Sequence, residues 1–258
     1  MRNNSWLKDI LRSPETGEPL SWKGDSCSDG KGRTFRSIDG IVSFVDSSEL
    51  SGQDARWNRF YNLFAPLYDL NERITGKLLV GVDMVAGRSE IVSRLNLKPG
   101  MRLLEISPGP GVFQRLLRKT VGADAEYAAL DLSMAMLRQC KLKNNDLNIE
   151  LIHADAQSLP LAENSFDAVF HFGGVNLFND PRKALDEFIR VSKVDGIVSW
   201  GDEGFSANYP AGLRRKILSK MNPGFTKPRP PVPLTVCSAQ EHEVYNGLGY
   251  LLVCRKSK

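Results

Sequence analysis

From Met101 onward the sequence alternates between short apolar runs and stretches whose apolar residues recur one helical turn apart, and this alternation restricts the fold more than any other feature. Residues 102–106, 126–130, 149–153, 166–170 and 197–200 read as strands, and residues 112–120 and 133–143 between them read as helices. Asp180-Pro181 opens a further helix with an N-cap and a first-turn proline, and Ala184, Leu185, Phe188 and Ile189 mark its buried stripe. Apolar strands joined through helices require a parallel sheet covered on both faces. Residues 248–254 read as a last strand.

The remainder of the chain divides into two further regions. Residues 1–50 form a small β-rich module: an apolar piece at 6–11, a turn at Ser13-Pro14-Glu15-Thr16-Gly17, a Gly/Ser/Asp-rich stretch, and two short strands around Asp39-Gly40. Residues 51–95 are helical in pattern, rich in aromatics (Trp57, Phe60, Tyr61, Phe64, Tyr68) and interrupted by Pro66, which predicts a helical cap of two helices. Residues 96–258 then form the main domain. A chain of 258 residues with 41% apolar and 25% charged residues is ordinary for a globular protein, and a net charge of +4 is too mild to argue for a nucleic-acid partner. The four cysteines are widely spaced, and nothing near Met1 resembles a secretory signal, so a reducing, cytoplasmic location without a membrane span is expected.

The chemistry concentrates at strand ends. Glu105-Ile106-Ser107-Pro108-Gly109-Pro110-Gly111 carries a strand into a glycine-rich turn, where ligands sit in open α/β sheets. Taken alone, it is equally consistent with a plain tight turn. Asp131 ends the next strand about 20 residues on, where a carboxylate accepts hydrogen bonds from ribose hydroxyls, and Asp155 follows the third strand, where one can accept from an adenine amine. A pyrophosphate-binding turn needs free N–H groups and a third glycine. Here that third position is Gln114, and Pro108 and Pro110 lack an N–H. The turn therefore suits S-adenosylmethionine, which has no phosphate, better than a dinucleotide.

With the segments Asp131-Leu132-Ser133, Asp155-Ala156-Gln157-Ser158-Leu159-Pro160, Asn164-Ser165-Phe166-Asp167 and Arg190-Val191-Ser192-Lys193, the chain resembles class I S-adenosylmethionine-dependent methyltransferases, particularly the ubiquinone/menaquinone branch. The resemblance implies a Rossmann-like fold with a mostly parallel seven-stranded sheet. It also implies a donor site built from Tyr61, Tyr68, Glu105, Ser107, Gly109, Gly111, Asp131, Leu132, Asp155, Ala156 and His171. One departure is Ser107, which stands where the pattern has its first glycine. The amino-terminal segment from Leu11 to Leu20 is similar to small zinc-ribbon modules, but those place cysteines where this chain has Ser13 and Thr16. Only Cys27 could remain as a ligand and tetrahedral zinc needs four, so no metal is expected and the module reads either as a degenerate ribbon or as a coincidental β-rich extension.

A sulfonium methyl group is already activated, so alignment supplies much of the acceleration and a base matters only if the acceptor must lose a proton. His171 and Glu203 are the catalytic candidates; each also reads as a structural strand-end histidine or a surface carboxylate. Residues 208–233 combine Arg214-Arg215-Lys216 with five prolines from Pro223 onward, which reads either as a lid or as a solvated basic helix followed by a stiff loop. The expected function is methyl transfer to a small organic acceptor, aromatic or quinone-like. The alternatives are methylation of ribosomal RNA and a non-catalytic donor-binding protein.

Overall fold

The computed structural model describes residues 5–46, 52, 83–221, 223–230 and 236–257. The predicted cap helices around Tyr61 and Tyr68 lie outside the described residues.

The amino-terminal region contains helix α1 (Ser5–Ile10) and strands β1 (Ser21–Lys23), β2 (Ser26–Ser28), β3 (Thr34–Ile38) and β4 (Ile41–Ser43). These four strands form an antiparallel meander. Asp39 and Gly40, both with positive φ (54° and 76°), make the expected tight turn between β3 and β4. Helix α2 (Met84–Arg94) follows, capped by Asp83, whose carboxylate accepts from the N–H groups of Val85 and Ala86.

The alternating part folds as β5 (Leu103–Ile106), α3 (Gln114–Val121), β6 (Tyr127–Asp131), α4 (Met134–Lys143), β7 (Glu150–His153), β8 (Phe166–Phe172), α5 (Pro181–Val191) and β9 (Ser192–Glu203). Helix α6 (Leu213–Met221) and the hairpin of β10 (Val236–Val244) and β11 (Gly249–Lys256) complete it. The five strands expected in this region are present, as is the tail strand. Helix α5 starts as predicted, with the Asp180 carboxylate accepting from the Lys183 N–H. The reading missed β10.

The expected seven-stranded sheet is corrected to eleven strands in the order β1-β2-β3-β4-β7-β6-β5-β8-β9-β11-β10. The physical reason is an edge. β7 would end the sheet with unpaired backbone groups, and β4 pairs with it in parallel, Val42 opposite Ile152 and Ser43 opposite His153. The sheet is consequently mixed. It is parallel from β4 to β9 and antiparallel in the amino-terminal meander and in the β9-β11-β10 edge.

Alternation along the strands divides the core into two layers. Leu104, Ile106, Val169, Val198 and Trp200 face α5 and the amino-terminal residues Leu7, Leu11, Phe35 and Val42. Leu103, Tyr127, Ala129, Phe170 and Ile197 face α2 and α3 through Ile91, Leu95, Leu117 and Val121. Both faces are covered, which permits strands without polar alternation. The amino-terminal region shares the first layer rather than building its own core, and it is tied down by hydrogen bonds from Arg12 N to Pro160 O and from Ala162 N to Ile10 O.

Candidate active site

The strand order reverses beside β5: β6 and β7 lie on one side, β8 and β9 on the other. Such a switch point leaves a crevice outside the carboxyl ends of the strands. In the parallel register, Ile106 sits opposite both Leu130 and His171, and Asp131 sits opposite His153, so the turns after β5, β6, β7 and β8 share one rim.

The turn after β5 is unusual in its backbone. Ser107, Gly109 and Gly111 all have positive φ, 53°, 55° and 83°. Glycine takes such angles freely, whereas serine does so at a cost of order 1 kcal/mol. Gly111 is further constrained from outside: a Cβ there would lie 2.4 Å from Asn144 Nδ2. Asn144 instead donates to the Gly111 carbonyl and fastens the turn to the end of α4. At Gly109 a Cβ would meet nothing within 4 Å, so this face of the turn is open.

Asp131 joins two turns. Its Oδ2 accepts from the Gly109 N–H at 3.1 Å and its Oδ1 from the Ser133 N–H at 2.9 Å. Burial raises its pKa to about 6, against the lowering influence of these backbone donors. The Leu132 backbone is a third donor to this carboxyl group, and a carboxylate has about four acceptor directions, so about one remains for a ribose hydroxyl. Glu105 is different. It is 2% exposed, accepts a 2.6 Å hydrogen bond from Tyr127 Oη, and burial raises its pKa to about 7. The carboxyl group lies beneath the turn, in the layer between the sheet and α3.

After β7, Asp155 Oδ1 accepts from the Gln157 N–H (2.8 Å) and from Gln157 Nε2 (3.1 Å), while Gln157 Oε1 accepts from the Asp180 N–H. Ala156 is buried next to this turn. Leu132 is half-buried, and its carbonyl receives His153 Nε2–H at 3.0 Å. His153 Nδ1 faces Ser43 Oγ at 2.8 Å, so the ring is a neutral Nε2–H tautomer accepting from serine.

His171 is wholly enclosed, with its ring between Phe178 and Phe188 and its Nδ1–H donated to the Ile106 carbonyl. Burial lowers its pKa, which keeps it neutral. Its Nε2 is buried without a hydrogen-bond partner among the described residues. In this structure the imidazole supports the end of β5 and reaches no solvent. Glu203 is exposed at the end of β9. The neighbouring Asp202 is buried and accepts from the N–H groups of Gly174, Asn176 and Glu203, which orders the turn after β8.

The structure thus brings Glu105, Ser107, Gly109, Gly111, Asp131, Leu132, Asp155, Ala156 and Glu203 to the strand ends, with Glu105 and His171 inside rather than on the rim. Sequence reading missed Asn144, Gln157 and Ser43. The Gly173-Gly174 doublet, with φ of 92° and 87°, was a legible signal for the turn after β8.

Comparison with known proteins is consistent with this geometry. Residues 104–199 match the family described as a methyltransferase domain. Over 132 residues the chain is 36% identical to a demethylmenaquinone methyltransferase of Renibacterium salmoninarum, covering 51% of this chain and 52% of that one. The chain spans about half the length of the curated relatives it matches. Phosphoethanolamine N-methyltransferase 2 of Haemonchus contortus, solved with S-adenosyl-L-methionine, superposes with a TM-score of 0.58 at 16% identity, over 81% of this chain and 61% of that one. A SAM-dependent methyltransferase from Aquifex aeolicus gives 0.53 at 18% identity, over 74% and 96%.

The fold is the class I methyltransferase fold. Within that fold the segment β7-β6-β5-β8-β9-β11-β10 is the sheet whose strand ends form the candidate site, and β1–β4 lengthen it by four strands at the β7 edge.

Proposed function

We propose that this chain is an S-adenosylmethionine-dependent methyltransferase acting on a small organic acceptor of the aromatic or quinol class. The observation that carries the reading is Asp131, a buried carboxylate held by Gly109 N–H and Ser133 N–H at the switch point, with acceptor capacity left over for a ribose hydroxyl. The residues fit the donor in two further respects. Pro108 and Pro110 remove the N–H groups a pyrophosphate would need, and Gly109 leaves open space for the methionine portion. The 36% identity to a demethylmenaquinone methyltransferase supports a quinol-like acceptor.

When bound, held by Asp131 and the turn at Ser107, Gly109 and Gly111, the donor would supply a methyl group activated by its sulfonium. The protein's own work is alignment. Asp131 orients the ribose, and Leu132, Asp155 and Ala156 line the nucleoside side. Ser107, Gly109 and Gly111 shape the turn, which Glu105 and His171 hold from within. Tyr61 and Tyr68 belong to the proposed cover. Glu203, exposed at the same rim, is the carboxylate placed to take a proton from a hydroxyl acceptor.

The test is calorimetry with S-adenosylhomocysteine on the parent and Asp131→Ala, alongside transfer of labelled methyl to a panel of naphthoquinols and phenols. Loss of the carboxylate should weaken binding by about 1.5–3 kcal/mol. No product binding by the parent protein would end this reading, and binding without turnover of any acceptor would move it to a non-catalytic donor-binding protein.

A further inference from the structure

The two faces of α6 differ in a way the donor site does not use. Leu218 points inward, into the layer that contains Phe225 and Tyr245. Arg215 is held sideways, its guanidinium over the Phe205 ring and donating to the Tyr209 carbonyl. The opposite face presents Leu213 and Ile217, one turn apart and 76% and 49% exposed. Exposed Lys216 and Lys220 flank this pair on one side and exposed Arg214 on the other. From Gly204 to Gln240 the sequence contains six lysines and arginines and no acidic residue.

A pair of apolar residues at the apex of a helix, bordered by long cationic side chains, fits a lipid–water interface. The aliphatic residues enter the headgroup boundary while the cations reach back to anionic headgroups. The position of the helix adds to this. The Phe205 ring stacks on Phe225 at 5.0 Å, and Lys227 Nζ donates to the carbonyl of Asn176, in the turn after β8. The segment carrying α6 is thereby fastened to the rim that holds Asp202 and Glu203.

We propose that the Leu213–Ile217 face of α6 docks this protein on the surface of an anionic membrane, beside the rim of the active site. The inference rests on the helix face and not on the identity of the acceptor. It goes beyond the methyltransferase reading, and it gives an apolar acceptor a short route from the lipid. No helix of the described residues is long and apolar enough to cross a membrane.

The experiment is co-sedimentation of the full chain with vesicles of phosphatidylcholine alone and of phosphatidylcholine with phosphatidylglycerol, at low and high salt. Binding is expected only to the anionic vesicles and should fall with salt. Each cation near such a surface contributes about fivefold in affinity, so Lys216→Glu with Lys220→Glu should abolish the binding. Leu213→Ser with Ile217→Ser should weaken it about tenfold or more, while melting temperature and S-adenosylhomocysteine affinity stay at the parent values. No sedimentation with anionic vesicles overturns the proposal, as does sedimentation that is indifferent to the Leu213 and Ile217 changes. Binding to cellular RNA that depends on the lysines but not on Leu213 and Ile217 also overturns it and assigns the face to nucleic acid. Product affinity is measured on the same samples, so loss of vesicle binding with donor binding intact rejects the docking face alone.

Discussion

Ser43 and His153 meet across the seam between the amino-terminal meander and the main sheet, with Ser43 Oγ donating to His153 Nδ1 at 2.8 Å. The opposite nitrogen of the same ring donates to the carbonyl of Leu132, the residue after Asp131. The acceptor-only carbonyl of Leu132 fixes the Nε2–H tautomer of this imidazole on β7, the Ser43 hydroxyl on β4 satisfies its other nitrogen, and the ring ties down the backbone that presents the proposed ribose carboxylate.

Removing that hydroxyl should be felt at the donor site. Ser43→Ala is expected to cost about 0.5–1.5 kcal/mol of stability and to weaken S-adenosylhomocysteine binding several-fold. Ser43→Thr, which keeps the hydroxyl on a strand, should restore both. Calorimetry and thermal melts on the two variants check this. A Ser43→Ala protein that melts earlier but binds like the parent would mean the meander only stabilises the sheet.

The protonation of Asp131 predicts a pH profile for donor binding. Its pKa in the unliganded protein is pushed up to about 6 by burial, and only the ionised carboxylate is purely an acceptor for a ribose hydroxyl. Affinity should be level above about pH 7 and decline as the pH falls through 6, by at most about tenfold per unit. Asp131→Asn should bind more weakly and show a flatter profile over the same range. Titration calorimetry between pH 5 and 8 decides it.

Glu105 predicts the pH dependence of folding. Burial raises its pKa from 4.5 to about 7, so the folded state favours the protonated carboxyl. The stabilisation is full below the unfolded value near 4.5 and is lost as the pH rises through about 7. The loss is on the order of 3 kcal/mol. Glu105→Gln keeps an acceptor for Tyr127 and cannot ionise, so its stability should change less than the parent's between pH 5 and 8. Urea melts at the two pH values are the measurement, and parallel slopes for both proteins would refute the assignment.

Ser107 carries strain that glycine would relieve. At φ of 53° its Cβ is unfavourable. Ser107→Gly should raise stability by about 0.5–1 kcal/mol, net of the extra entropy of the unfolded chain, and should leave product binding intact. A destabilised Ser107→Gly protein would show that the serine hydroxyl has a role in the turn.

Ser13 Oγ donates to Asp29 Oδ2 at 3.0 Å, and Asp29 Oδ1 accepts from the N–H groups of Lys31 and Arg33. This buried pair ties the turn at residues 13–17 to the loop at residues 29–33. We expect no stoichiometric zinc and a lowered unfolding midpoint in Asp29→Ala, checked by elemental analysis and denaturant melts.

Pattern and length together determined the alternating elements, because apolar runs such as 103–106 and 166–170 are too short for helices and are bounded by turn residues, while the stripe of α5 repeats every turn. Local chemistry determined the cap at Asp180, the turn at Asp39-Gly40 and the carboxylates at the strand ends, since each depends on residues a few positions apart. The tertiary structure decided what depends on distant neighbours. Residues 1–50 read as a separate module because their own strands are short and polar, and only the unpaired edge of β7, more than a hundred residues away, makes β1–β4 part of one sheet. His171 read as a rim residue because it ends a strand. Its enclosure comes from Phe178 and Phe188, which α5 and the turn before it lay over the ring. Side-chain direction at a strand end is set by what packs above it, and no local pattern in the sequence records that.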